Sequence, residues 1–283
     1  MEVVIGETAG FCFGVENAVT KAKKELDRTK PVYCLGELVH NNQVTDELIQ
    51  KGIIFIDEVN LAKGKLIIRS HGVSKKIYEA AKNRDIELID LTCPKVLKIH
   101  SIVEKYANNG YYILLVGQSG HDETIGTASY CGEHYSVIED STHVRAALEG
   151  LEKSNIKDVL LICQTTFNLE IFHQIASMVE KEVVGKNLEI INTICDATKE
   201  RQAETIQIAG AVDLMIIIGS KSSSNTNKLY EISKKYCENV MLIETKNELK
   251  KEYVEKINKV GIMAGASTPK KSIQEVVEIL NQI

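Results

Sequence analysis

Two rhythms of apolar residues run along this chain. In the first, they cluster in short runs bounded by polar or turn residues, at 3–5, 32–35, 53–56, 65–68, 87–91, 112–116, 135–138, 159–162, 188–194, 214–218, 241–243 and 261–263. Such runs predict β-strands. In the second, they recur every three or four positions, as at Val15, Ala18, Val19, Ala22 and Leu26, or at Val96, Ile99, Ile102, Val103 and Tyr106. That is the stripe of an amphipathic helix. Further helices are expected up to residue 51 and over 75–83, 169–184, 198–210 and 273–280. Asn108-Asn109-Gly110 supplies the stop after one of them.

The order of these elements repeats. Cys12, Cys93 and Cys195 each follow a predicted strand and precede a helical stripe, with Pro94 opening the helix behind Cys93. A glycine at the end of the next strand lies 24 residues beyond each cysteine, at Gly36, Gly117 and Gly219. A second polar loop follows in every repeat, with Thr165 72 residues after Cys93 and Ser267 72 after Cys195. Strands alternating with helices imply right-handed βαβ units and parallel sheets, whose ligands lie beyond the carboxyl ends of the strands. The expected fold is therefore α/β, with three similar domains of mainly parallel sheet in a pseudo-threefold arrangement around a central site. Expected boundaries are 1–92, 93–194 and 195–283, with the C-terminal helix free to pack on another unit.

Composition narrows the chemistry. Apolar residues make up 44% and charged residues 26% of the 283, as in an ordinary globular protein. A net charge of −5 without a basic block argues against a nucleic-acid partner. No apolar run approaches the roughly 18 residues that span a bilayer, so no membrane partner is expected. The first residues lack a secretory pattern, and seven dispersed cysteines form no obvious disulfide framework. The expectation is a cytoplasmic protein with reduced thiols, some of them ligands.

Cys34, Cys131, Cys163 and Cys237 fall within strand or helix patterns, where cysteine packs as a small apolar residue. Cys12, Cys93 and Cys195 share one position of the repeat. Three such thiolates would hold zinc with a fourth ligand, or an iron–sulfur cluster with one iron left open. The sequence has no Cys-x-x-Cys pair, which is unusual for structural zinc. His40, His71 and His121 occupy loops, whereas His100, His134, His143 and His173 lie on helical or connecting segments and carry no expectation. Ser223, Ser224, Asn225 and Ser267 take the corresponding loops of the third repeat; imidazoles, hydroxyls and helix N-termini together suit a diphosphate. Asn225 has a structural alternative as a helix cap. Glu123, two residues after His121, would have a raised pKa if enclosed and would then donate protons, with the Thr165 hydroxyl as relay. A zinc- or thiol-dependent phosphoester-binding protein without redox function is the other reading these residues leave open.

The segments Ala9-Gly10-Phe11-Cys12-Phe13-Gly14-Val15, Leu38-Val39-His40-Asn41, Ser70-His71-Gly72-Val73-Ser74, Thr92-Cys93-Pro94, Gln164-Thr165-Thr166, Thr193-Ile194-Cys195, the stretch from Gly219 to Asn227, and Gly265-Ala266-Ser267 run in order along the chain. Together they resemble the IspH (LytB) family, the 4-hydroxy-3-methylbut-2-enyl diphosphate reductases. The resemblance implies one [4Fe-4S] cluster on Cys12, Cys93 and Cys195, whose open iron takes the substrate hydroxyl. It implies diphosphate binding by His40, His71, His121, Ser223, Ser224, Asn225 and Ser267, and proton supply by Glu123 with Thr165. The implied reaction removes the allylic hydroxyl as water in the last step of the methylerythritol phosphate route, with electrons from ferredoxin or flavodoxin. The sequence departs from the family pattern at Asp122, where a proline is usual, and at Lys95 and Leu97.

Overall fold

The computed structural model describes residues 1–254 and 257–282. Among them, three four-stranded, wholly parallel sheets form, each strand pairing in register with its neighbour. The first sheet has the order β3 (Ile53–Ile56), β2 (Val32–Leu35), β4 (Lys65–Ile68), β5 (Glu87–Asp90). The second runs β7 (Tyr135–Ile138), β6 (Tyr112–Val116), β8 (Asp158–Cys163), β9 (Asn187–Ile191). The third runs β11 (Val240–Ile243), β10 (Leu214–Ile218), β12 (Lys259–Ala264), β1 (Glu2–Ile5).

The three orders are one topology. Its fourth place is filled by β5, β9 and β1, the strands that lead into Cys93, Cys195 and Cys12. β1, expected with residues 1–92, thus belongs to the third sheet, and its backbone groups pair with β12 from Glu2↔Lys259 to Ile5↔Ile262. The chain divides into two compact units. One comprises residues 1–19, 39–50 and 196–283 and contains the third sheet; the other comprises 20–38 and 51–195 and contains the first two.

The central strands β6 and β10 are buried at every position. That is the pattern of parallel sheet covered on both faces. On one face of the second sheet, Leu114, Val116, Leu161 and Cys163 pack against α6 (Val144–Ser154) and α7 (Leu169–Glu182) through Leu151, Phe172 and Ile175. On its other face Ile113, Leu115 and Ile162 meet Ile99 and Val103 of α4 (Pro94–Asn108). The third sheet is covered by α10 (Lys270–Leu280) through Ile273, Val276 and Leu280, so the C-terminal helix packs on its own sheet. Its opposite face takes Ala209 of α8 (Asp196–Ala209) and Leu229 of α9 (Ser224–Tyr236). The apolar pattern does not assign α6 or α9; α9 begins with the polar run Ser224-Asn225-Thr226-Asn227-Lys228, which masks its stripe. α8 starts directly behind Cys195, two residues earlier than expected. The remaining helices are α1 (Phe13–Arg28), α2 (Asn42–Lys51), α3 (Lys75–Lys82) and α5 (Asp122–Ala128).

Candidate active site

Each of Cys12, Cys93 and Cys195 is the last residue before a helix, namely α1, α4 and α8, and Pro94 takes the first position of α4. The same backbone bond recurs at all three. The Cys93 amide donates to the Ser70 carbonyl (2.9 Å), the Cys195 amide to Thr165 (3.1 Å) and the Cys12 amide to Ala266 (3.1 Å). Ser70, Thr165 and Ala266 each stand two residues beyond β4, β8 and β12. The repeat therefore ties every one of these cysteines to its second polar loop. It also shifts an equivalence drawn from spacing, because Thr165 corresponds to Ala266, and Ser267 corresponds to His71 and Thr166. All three cysteines are partly exposed, whereas Cys34, Cys131, Cys163 and Cys237 are buried. Burial pushes the Cys34 and Cys131 thiols up to about 12 and the Cys163 thiol well above its ordinary value. Those three stay protonated and apolar in character.

Within the unit holding the first two sheets, Glu123 is 1% exposed. Its Oε1 accepts the Thr165 amide (2.7 Å) and its Oε2 accepts the Thr165 hydroxyl (2.7 Å). Burial raises the carboxyl to about 7, and the two bonds from Thr165 hold it back from going further. The carbonyl of the same Thr165 receives the Cys195 amide, so one threonine touches both the carboxyl and the cysteine turn. Gln164 fixes the neighbouring backbone: its Oε1 accepts from the Gln118 amide (3.1 Å) and the Thr124 hydroxyl (3.2 Å), and its Nε2 donates to Thr166 (2.9 Å).

His121 caps α5, its Nδ1 accepting the Glu123 amide at 3.1 Å. In the neutral ring the proton then sits on Nε2, which leaves that nitrogen a donor. The His71 ring meets it edge to face, with centroids 5.7 Å apart. His100, for which no role was expected, is buried at 3% exposure and stacks on Tyr130 with centroids 4.4 Å apart. Neither of its ring nitrogens has a hydrogen-bond partner among the described residues. Burial lowers it to about 4, with Asp90 and Glu104 opposing, so it stays neutral in the fold.

Within the unit holding the third sheet, His40 and Ser267 come together, the Ser267 hydroxyl donating to the His40 carbonyl at 2.9 Å. Asn41 follows and caps α2 by accepting the Val44 amide (3.1 Å). At the start of α9 the cap is Ser223, whose hydroxyl accepts the Thr226 amide (3.4 Å). Asn225 is thereby released from the capping role that was its alternative. Its side chain is 4% exposed, yet neither its amide nitrogen nor its carbonyl oxygen has a partner among the described residues. A buried carboxamide left in that condition costs free energy unless something bonds it. Gly219, with φ at +153°, lets the loop turn here; a Cβ would lie 2.6 Å from the Thr226 hydroxyl.

The family model described as LytB protein matches residues 3–281. The 4-hydroxy-3-methylbut-2-enyl diphosphate reductase of Alkaliphilus oremlandii is 39% identical over 289 aligned residues, covering all of both chains. The protein of that name from Aquifex aeolicus is 38% identical over 294, covering all of this chain and 97% of its own. A solved structure of (E)-4-hydroxy-3-methyl-but-2-enyl diphosphate reductase, described as the terminal enzyme of the non-mevalonate pathway, is 38% identical and superposes with a TM-score of 0.71 over the full length of both chains. The E-1-hydroxy-2-methyl-but-2-enyl-4-diphosphate reductase from Plasmodium falciparum superposes at 0.90 with 31% identity, covering 99% of this chain and 88% of that one. On the family match and on full-length identity alike, the chain belongs to the LytB protein family.

Proposed function

We propose that the chain reduces 4-hydroxy-3-methylbut-2-enyl diphosphate to isopentenyl and dimethylallyl diphosphates, the last step of the methylerythritol phosphate route. The observation that carries this reading is the sealed Glu123 carboxyl, bonded twice to Thr165, whose carbonyl in turn holds the Cys195 amide. The three repeats contribute one cysteine each, Cys93 behind β5, Cys195 behind β9 and Cys12 behind β1. Cys12, Cys93 and Cys195 fit the ligand role because they are the partly exposed thiols, each placed alike before a helix. A [4Fe-4S] cluster held by these three thiolates would supply one-electron redox chemistry.

The chain's own residues supply the rest. His40, Ser223, Ser224, Asn225 and Ser267 bind the diphosphate together with His71, His121 and Thr165. Asn225 supports that assignment through its buried, unbonded carboxamide. The reaction breaks the allylic C–O bond with two electrons and two protons, one proton leaving in water and the other ending on carbon. With its carboxyl raised to about 7, Glu123 carries a proton in much of the population at neutral pH. In that form Oε2 donates to the Thr165 hydroxyl, which frees the hydroxyl's own proton for the next acceptor. Ferredoxin or flavodoxin is the electron donor, and the cytoplasm the compartment. Among the described residues no helix is long and apolar enough to cross a membrane.

Anaerobic turnover tests the reading. Chain carrying iron and sulfide, given the hydroxylated diphosphate and a strong reductant, should release both isomers at two electrons per product. Colourless protein with stoichiometric zinc and no product would sink it.

A further inference from the structure

The loop that carries Cys12 differs from the other two in length. Cys93 stands three residues beyond β5 and Cys195 four beyond β9, but Cys12 stands seven beyond β1. The short loops are braced by their own side chains: Asp90 accepts the Thr92 amide (2.9 Å) and Asn192 accepts the Ile194 amide (3.1 Å). The Cys12 loop is braced from outside, by α8. Arg201, 3% exposed, donates from Nε to the Thr8 carbonyl (2.8 Å), from Nη2 to the Gly10 carbonyl (2.8 Å) and from Nη1 to the Ala197 carbonyl of its own helix (3.1 Å). Glu204, three residues on, accepts the Glu7 amide (2.6 Å), the Thr8 amide (3.0 Å) and the Thr8 hydroxyl.

One helix therefore offers a donor fork to the loop's carbonyls and a carboxylate to its amides. The planar guanidinium suits this because its donors are fixed relative to one another, as a lysine's are not. The Cys12 amide is held in turn by Ala266, whose neighbour Ser267 bonds His40. Arg201 also walls, with Thr8, Phe11, Cys12 and Lys270, a cleft of about 530 Å³. We propose that Arg201 and Glu204 are positioning residues for Cys12, acting as a clamp that fixes this thiol for ligation. The proposal rests on the reading of Cys12 as a cluster ligand. A ligand on an unsupported seven-residue loop would not keep the sub-ångström placement that a metal site demands.

The test uses metal-free and cluster-loaded full chain at one pH. In metal-free protein, Arg201→Met should let iodoacetamide label Cys12 about tenfold faster, as local opening becomes easier, while Cys93 and Cys195 keep their rates. Loaded Arg201→Met should lose iron to a chelator faster by a similar factor, and Arg201→Lys should not restore the parent rate. Glu204→Gln, a milder change on the more exposed member, should show the same selectivity for Cys12 and covers the case in which Arg201→Met fails to fold. Unchanged Cys12 labelling in the variants, or equal acceleration at all three cysteines, overturns the clamp. Full iron content in Cys12→Ser would instead overturn the ligand reading, and the labelling result would still report on the clamp.

Discussion

Glu123 and His100 are both buried titratable side chains, and burial moves them in opposite senses because it always disfavours the charged form. For Glu123 the folded value of about 7 lies above the ordinary 4.5. Between those values the folded chain holds a proton that the unfolded chain has released. Its stabilising contribution is therefore complete below pH 4.5 and gone above about 7, a change of roughly 3 kcal/mol. For His100 the folded value of about 4 lies below 6.5, so its contribution is present above pH 6.5 and lost as pH falls through 4. Across 4.5–6.5 the two slopes oppose each other in the parent. Denaturant titrations should show Glu123→Gln gaining on the parent by roughly 3 kcal/mol from pH 4.5 to 8. His100→Phe should gain as pH falls from 6.5 to 4. Parallel curves for parent and Glu123→Gln would mean that the carboxyl titrates normally. In turnover, the parent's kcat should fall above about pH 7 as Glu123 loses its proton. Glu123→Gln should retain the cluster and substrate binding with kcat lower by about 10²-fold or more, the usual weight of a positioned proton donor.

Between elements, Asp122, one of the three positions at which the sequence departs from the resembled pattern, has a partner. Asp122 opens α5, where its charge complements the helix N-terminus, and its Oδ1 lies 2.8 Å from Arg69 Nη2. Arg69 immediately precedes Ser70 and His71, and Asp122 sits between His121 and Glu123. The pair thus links the two loops that present His71 and His121. Arg69 passes over Gly36, where a Cβ would lie 2.3 Å from its Nη1 and where φ is +66°. Both partners are about one-fifth exposed, so removing the bridge should cost about 1 kcal/mol. Asp122→Asn should accordingly raise the substrate KM about fivefold with little change in kcat. Asp122→Pro, which suits a first helical position, should restore the parent KM. A KM untouched by Asp122→Asn, with unchanged salt dependence, would leave the bridge without a positioning role. The sequence could name the two histidines because loops between strongly patterned elements are easy to find. It could not show Arg69 with Asp122, or Arg201 with the Cys12 loop, because a charged residue beside a strand or on a helix reads as solvated until its partner is seen. His100 failed for the same reason: one polar residue on an amphipathic helix does not declare which face it takes. Thr165 was half legible, since its loop was found but the 72-residue count matched it one position away from Ala266.

At the scale of the whole chain, apolar runs located the twelve strands found among the described residues but carried no information about their partners, and β1 shows what that omits. Its run of Val3, Val4 and Ile5 would suit any of the three sheets; only its pairing with β12 assigns it. That pairing makes the repeat formally closed. β4–α3–β5 and β8–α7–β9 are parallel crossovers, and β12–α10 followed by β1 completes the third in the same sheet order. In the first two, four residues separate helix from strand: 83–86 between Lys82 and Glu87, and 183–186 between Glu182 and Asn187. Right-handed crossovers of one topology have similar spans, so four residues should also connect Leu280 to Glu2. A circular permutant can be built on this, with a four-residue connector from Leu280 into Glu2 and new ends opened between Lys63 and Gly64. Both of those residues are exposed, and Gly64 has open space around it. Surface turns of this kind tolerate opening. The permutant should unfold cooperatively with a midpoint within about 5 °C of the parent, since no sheet or helix contact is removed. If the four-residue version stays unfolded while a twelve-residue version folds, β12–α10–β1 is not a third copy of the crossover. The β4–α3–β5 and β8–α7–β9 crossovers would then need a different explanation for their matching connectors. If the four-residue version folds, β1 is the fourth strand of the last repeat in geometry as well as in order, and the position of Cys12 follows from the same rule that places Cys93 and Cys195.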